Sequence, residues 1–188
     1  MSVYITDYVS NPDIEEIVLP GLITQCKETA EVLLVWHQKI DSNYLDQFPK
    51  LKGIVRYGVG FDAIDLDAVN SRGVVFCNTP DYGTDEVSDT AIGMIMSITR
   101  GIVRYDYFCR NYKRNSWQEN TITDLRRSSQ LTIGVIGAGR IGGSIIRKAK
   151  SIGFVVVFFD PYKDRGYEKM LGVDRVDTLN GLLKISDV

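Results

Sequence analysis

The stretch that most limits how this chain folds is residues 131–160, LTIGVIGAGRIGGSIIRKAKSIGFVVVFFD. It opens on an apolar run, 131–136, short and β-branched enough for a parallel strand buried on both faces. Gly137-Ala138-Gly139-Arg140-Ile141-Gly142 follows and matches G-x-G-x-x-G. A helical pattern comes next, with Ile141, Ile145, Ile146 and Ala149 on one face and Gly153 closing it. Residues 154–159 read as the next buried strand, and Asp160 stands at its end, eighteen residues after Gly142.

Each residue type has a mechanical reason. Gly137 permits the tight turn from strand to helix, Gly139 lets backbone approach a pyrophosphate, and Gly142 lets the helix pack on the strand. The helix start then meets phosphate charge with free N–H groups. A carboxylate at the position of Asp160 accepts the hydroxyls of an adenosine ribose and repels a 2′-phosphate. The stretch therefore predicts a dinucleotide site with NAD preferred over NADP. Arg140 is read either as a pyrophosphate contact or as an ordinary exposed residue of the first helical turn.

At 188 residues the chain is long enough for one large domain or two small ones. A composition of 44% hydrophobic and 24% charged residues is ordinary for a globular protein, and a net charge of −2 gives no reason to expect nucleic acid or an anionic membrane as partner. No apolar run approaches membrane-spanning length, and MSVYITDY reads as a strand rather than a signal peptide. Cys26, Cys77 and Cys109 are odd in number and far apart, which predicts reduced thiols and a cytoplasmic location. With His37 as the single histidine, no zinc site is expected.

Taken in order, residues 2–8 alternate as a first strand, and Asn11-Pro12-Asp13 signals a helix start. A short strand is expected at 22–26 and a better one at 31–36. A brief helix is expected around Leu45 and Phe48, a strand at 54–57, a helix at 66–71 and a strand at 74–77. Strands alternating with helices argue for parallel α/β sheets. From Thr84 to about Tyr112 a single long helix is expected, its second half carrying Arg100, Arg104, Arg110, Lys113 and Arg114 as a solvated basic face. After a polar connector at 115–129 the nucleotide lobe begins. Further helices are expected near 167–171 and 179–185, and a further strand from Ser186. The boundary between a first lobe and the nucleotide lobe is placed at residues 100 and 101.

Several stretches together resemble one family. Residues 52–65, KGIVRYGVGFDAID, resemble the LK-x-IVR-x-GVG-x-DNID block of the D-isomer-specific 2-hydroxyacid dehydrogenases. Asn78-Thr79-Pro80 and Val87-Ser88-Asp89 resemble that family's NTP and VAE signatures. Together with Phe159-Asp160-Pro161-Tyr162 they look closest to the branch named after the C-terminal binding protein. That branch holds both dehydrogenases and NAD-sensing corepressors.

The resemblance implies two Rossmann-like parallel lobes, flavodoxin-like and then NAD-binding, with the second incomplete. It implies residues 1–100 as a substrate lobe and 101–188 as the start of the NAD-binding domain. It further implies NAD as cofactor, a small 2-hydroxy or 2-oxo acid as substrate, and a homo-oligomer, most simply a dimer. Backbone amides at Val59 and Gly60 would hold the substrate carboxylate, although Gly58 and Gly60 also suit a plain strand-end turn. Tyr82 would face the nicotinamide half of the cofactor or serve in ordinary packing, while Arg140, Ile141 and Asp160 would contact pyrophosphate and ribose. Between Cys26 and Glu31 there is no room for the helix the family places there, so the first lobe reads as abbreviated.

The family's catalytic Arg, acid and His fall at no position of this sequence, and His37 is read as a structural histidine. The chain by itself is therefore expected to be inactive, the alternatives being a non-catalytic NAD-sensing module or a degenerate remnant. In a sheet of order 3-2-1-4, the strand at 131–136 would also have a free edge, which is expected to be covered.

Overall fold

The computed structural model describes residues 1–7, 13–111 and 122–188, and the chain divides into two compact units, Met1–Tyr82 and Gly83–Val188.

The first unit is a four-stranded parallel sheet in the order β1 (Val3–Ile5), β2 (Val32–Val35), β3 (Gly53–Arg56), β4 (Val75–Cys77). Helices α1 (Asp13–Val18), α2 (Ser42–Leu45) and α3 (Leu66–Ser71) alternate with the strands. Two carboxylates cap helix starts: Asp41 accepts the Tyr44 N–H at 3.0 Å and Asp65 the Ala68 N–H at 2.9 Å. Leu33, Val35 and Ile54 on the strands bury against Leu45, Ile64 and Val69, so the VLLV run of β2 reads apolar throughout, as a central parallel strand should.

The strand expected at 22–26 is reduced to one parallel bridge from Ile23 to Val3, closed by Val3 N–H to Leu22 O and Thr24 N–H to Val3 O, each at 2.8 Å. Counting that bridge, the lateral order is 2-1-3-4-5, which is the flavodoxin-like arrangement. The chain then turns directly from Cys26 to Ala30 without a helix.

The second unit contains α4 (Thr84–Thr99), α5 (Ile102–Arg110), β5 (Thr132–Ile136), α6 (Arg140–Ile152), β6 (Val155–Phe159), α7 (Tyr167–Leu171), β7 (Asp174–Arg175) and α8 (Leu179–Ile185). Its sheet is parallel in the order β5-β6-β7, with Ile133 opposite Val156 and Phe158 opposite Arg175.

The second unit begins ahead of α4, which is bound to α6 within it. The buried hydroxyls of Ser88 and Ser144 meet at 3.1 Å, and Lys148 donates to Ser88 Oγ at 2.6 Å and to Asp89 at 2.7 Å. The long helix is also two helices. Gly101 adopts φ +63°, and a Cβ there would stand 3.0 Å from Ile122 and 3.4 Å from Leu125, so a glycine breaks the helix where a later segment packs. Tyr112, the expected helix end, and Lys113 and Arg114, the last of the expected basic face, lie outside the described residues.

The free edge of β5 is covered over its first half by the chain's own last residues. Asp187 N–H donates to Thr132 O at 2.9 Å and Gly134 N–H to Val188 O at 2.8 Å, while the Asp187 carboxylate accepts the Thr132 N–H. A Cβ on Gly134 would collide with Ser186 Oγ at 2.1 Å, which is why a glycine sits in mid-strand. Further along, Ile136 remains 63% exposed.

The core of this unit sets a clear contrast along one helix. Ile146 is fully buried among Ile133, Val135 and Phe158, whereas Ile152 is 41% exposed. Ile146→Ala is expected to cost about 2–5 kcal/mol in urea unfolding and Ile152→Ala less than about 1 kcal/mol, with equal losses at the two positions counting against this packing.

Candidate functional site

β5 ends at Ile136 and the chain turns at Gly137, whose φ of +85° is open to glycine without strain. Its N–H donates to Phe159 O at 2.8 Å, tying the turn to the end of β6. Gly139 then starts α6, and no side chain caps that helix start. The three glycines of the motif do different work here. A Cβ on Gly142 would lie 1.9 Å from Gly137 O, so the helix packs against the turn only without one. A Cβ on Gly139 would meet nothing within 4 Å, which leaves open space in front of the free N–H groups of the first turn. Arg140 is exposed at that opening and Ile141 is half-buried.

Asp160 is 6% exposed and anionic. Its Oδ2 accepts the Ala138 N–H from within the glycine turn at 2.8 Å, and its Oδ1 accepts the Tyr162 N–H at 2.9 Å. Burial pushes this carboxyl up. The two backbone N–H groups, with Lys163 and Arg175 nearby, outweigh that and hold it below the ordinary value of 3.8. Arg175, on β7, donates to Asp160 O at 2.7 Å and to Lys163 O at 2.8 Å, so the third strand clamps the loop that follows the acid. Each carboxylate oxygen keeps a lone-pair direction beyond the N–H it already accepts, which is what a ribose diol requires.

These observations fit an adenine dinucleotide. An uncapped helix start faces open space, the turn is shaped by glycines, and a buried anion is bonded to that same turn. The structure brings together Gly137, Gly139, Arg140, Ile141, Gly142 and Asp160, all within the second unit.

The other expected residues lie in the first unit. Val59 and Gly60 are exposed on the loop that leaves β3. That loop is held by the next signature, since Asn78 Nδ2 donates to Val59 O and Thr79 Oγ1 to Arg56 O, each at 2.8 Å. Gly58 makes way for a side chain: a Cβ there would sit 1.5 Å from Arg56 Nη1. Tyr82 is exposed at the end of this unit.

Beside the loop is a recess of about 190 Å3 lined by Trp36, His37, Gln38, Arg56 and Gly60 among others. Sequence reasoning missed it. His37, read as a satisfied structural histidine, is exposed at this recess with its ring 4.4 Å from that of Trp36. Only its backbone is anchored, by the N–H donated to Asp7 at 2.6 Å. Among the described residues no group of three or more His, Cys, Asp or Glu side chains is placed to hold a metal, and no helix is long and apolar enough to cross a membrane.

A parallel α/β unit with a glycine turn and an acid at the end of the next strand defines a dinucleotide-binding class of fold. Residues 19–168 match the D-isomer specific 2-hydroxyacid dehydrogenase, catalytic domain, and the chain belongs to that family. It is 32% identical over 159 residues to a D-3-phosphoglycerate dehydrogenase of Methanocaldococcus jannaschii, covering 84% of this chain and 30% of that protein. It is 31% identical over 170 residues to a glyoxylate reductase of Thermococcus litoralis, covering 88% of this chain and 51% of that one. The chain thus spans about half or less of these curated relatives. The crystal structure of D-lactate dehydrogenase from Aquifex aeolicus, complexed with NAD and lactic acid, matches with a TM-score of 0.82 and 25% identity, over 100% of this chain and 59% of that one.

Two outcomes test the site. Because the folded pKa of Asp160 is depressed, its stabilising contribution is complete above the unfolded value near 3.8 and is lost as pH falls through the folded value. Asp160→Asn is therefore expected to be less stable than the wild type at pH 7, with the gap narrowing below about pH 4, as read from urea midpoints across pH. Gly142→Ala should lower the melting temperature markedly while Gly139→Ala leaves it near the wild-type value. Equal melting temperatures for the two variants would show that the turn is not packed as described.

Proposed function

We propose that this chain carries the adenine half of an NAD site and the substrate-carboxylate cradle of an NAD-dependent D-2-hydroxyacid dehydrogenase. The observation that carries the reading is the Ala138 N–H to Asp160 bond, which joins an open glycine turn to a buried anion. When bound, NAD supplies hydride exchange between nicotinamide C4 and C2 of a small 2-hydroxy or 2-oxo acid. The residues given to its adenine half are Gly137, Gly139, Arg140, Ile141, Gly142 and Asp160, with Tyr82 toward the nicotinamide half. Val59 and Gly60 are given to the substrate carboxylate through their backbone N–H groups. The first unit is accordingly the substrate lobe and the second the NAD lobe.

The motif set supports placing the chain in the branch related to the C-terminal binding protein. Relatives named for glyoxylate and phosphoglycerate support small acids as the substrate class. These 188 residues are not expected to turn over substrate alone. A dimer is supported by an exposed apolar row on α4 (Val87, Met94, Ile98) that continues into Val103 and Tyr107 on α5. Three exposed free cysteines suit a reducing cytoplasm.

Isothermal titration is the test. The wild type is expected to bind NAD and AMP, with NADP weaker, and Gly139→Ala to bind neither NAD nor AMP although it folds. NADH oxidation with glyoxylate, pyruvate or hydroxypyruvate is expected to be absent for the chain and present for a chimera extended with the C-terminal part of the Thermococcus litoralis relative. A chimera that binds NAD without turnover would instead indicate an NAD-sensing module. No heat with millimolar NAD would reject the whole reading.

A further inference from the structure

The sequence motif Phe159-Asp160-Pro161-Tyr162 contains one residue that the site described above does not use. Tyr162 is 94% exposed, more than any other large hydrophobic side chain among the described residues. An aromatic ring left in water usually sits on a loose segment, but this one does not. Pro161 limits the backbone before it. The Tyr162 N–H is bonded to Asp160 Oδ1 at 2.9 Å, and Arg175 grips the carbonyls of Asp160 and Lys163 on either side.

Three neighbouring cationic side chains have partners. Lys163 Nζ lies 5.0 Å from the centre of the Tyr167 ring, Arg165 pairs with Asp177 at 3.4 Å, and Arg175 is committed to backbone carbonyls. The Tyr162 ring has no ring contact and its hydroxyl no hydrogen bond among the described residues. The loop is therefore rigid, and what it holds out to solvent is one flat aromatic face.

We propose that Tyr162 is the stacking platform for the adenine base of the cofactor. This rests on the dinucleotide reading of the same site. In an adenosine the two hydroxyls and the base leave adjacent atoms of one ribose ring. A ribose diol held at Asp160 therefore delivers its base within a few bonds of that carboxylate. The backbone that carries the Tyr162 ring, two residues further on, is fixed by a hydrogen bond from its N–H to that carboxylate. One anion thus sets both contacts, the diol through its free lone pairs and the stacking face through the N–H it already accepts. Stacking on an aromatic ring suits any base with a π face and draws on no polar group of the loop.

The experiment compares wild type, Tyr162→Ala and Tyr162→Phe by isothermal titration with AMP, NAD and nicotinamide mononucleotide. Circular dichroism confirms that the variants fold, as expected for a side chain that touches nothing. Loss of the ring should weaken AMP and NAD about tenfold, Tyr162→Phe should bind both as the wild type does, and affinity for nicotinamide mononucleotide should not change. As an independent readout, nitration of Tyr162 by tetranitromethane, followed by peptide mass spectrometry, should be slowed by AMP and not by nicotinamide mononucleotide. AMP binding that is equally tight in wild type and Tyr162→Ala, or nitration that AMP leaves unaffected, overturns the stacking role while the dinucleotide reading stands. A wild type that takes up neither AMP nor NAD overturns both.

Discussion

The hydrogen bond from the Ala138 N–H to Asp160 Oδ2 is the constraint on which the second unit depends. A carboxylate that is 6% exposed is costly unless it is bonded, and the ends of β5 and β6, Ile136 and Phe159, offer no polar side chain to satisfy it. Backbone N–H groups do so instead: Ala138 from the turn and Tyr162 from the loop beyond the acid. The Ala138 N–H points inward only because Gly137 takes a positive φ, and the helix closes onto the turn only because Gly142 has no Cβ. Gly137, Gly142 and Asp160 are therefore one structural requirement, and Gly139, in front of which there is open space, stands apart from it.

A helix start is useful as an anion site only if the helix is held still. α6 is held from one side by the strands through Ile146 and Ala149, and from the other by α4. The contact with α4 is polar at its centre. Ser88 and Ser144 are buried hydroxyls that satisfy each other, and Lys148 reaches across to Ser88 and Asp89. Buried hydroxyls in mutual contact fix the rotation of one helix against the other more narrowly than aliphatic side chains, which slide at little cost. This explains why a helix that precedes the glycine turn by almost fifty residues belongs to the nucleotide unit and not to the lobe before it.

The glycine turn and its acid were legible in the sequence because their residue types follow from close approach of backbone to backbone, which few other residues allow. The four strands of the first sheet were legible too, since runs such as 32–35 have nothing polar to expose. What escaped notice depended on distant partners. β7 is only Asp174-Arg175, with no apolar pattern, and it is a strand because Phe158 and Val157 pair with it. The helix break at Gly101 was hidden because Ile98 and Ile102 keep the helical spacing across it, and the reason for the break sits at Ile122 and Leu125. Ser88 reads as a surface residue until Ser144 is opposite it, so the attachment of α4 to α6 has no signal in the sequence. The recess around Arg56 and His37 was missed for a related reason: its walls come from the loops after β2 and β3, and no motif spans both.

The two units use glycine for opposite electrostatic ends. In the second, glycines let backbone N–H groups converge on an anion, so that the protein's own carboxylate becomes part of the turn. In the first, Gly58 clears space for a guanidinium: Arg56 folds back over the strand end, and the Asn78 and Thr79 side chains hold the carbonyls of Val59 and Arg56. Val59 and Gly60 are exposed on that loop. That loop has an acid of its own, Asp62, whose Oδ2 would stand 3.7 Å from a Cβ on Gly60, whereas the loop after β6 has Asp160 bonded into the glycine turn and presents an aromatic face. The residues at these two strand ends differ accordingly: a guanidinium folded toward a glycine in the first unit, a carboxylate accepting backbone N–H groups in the second.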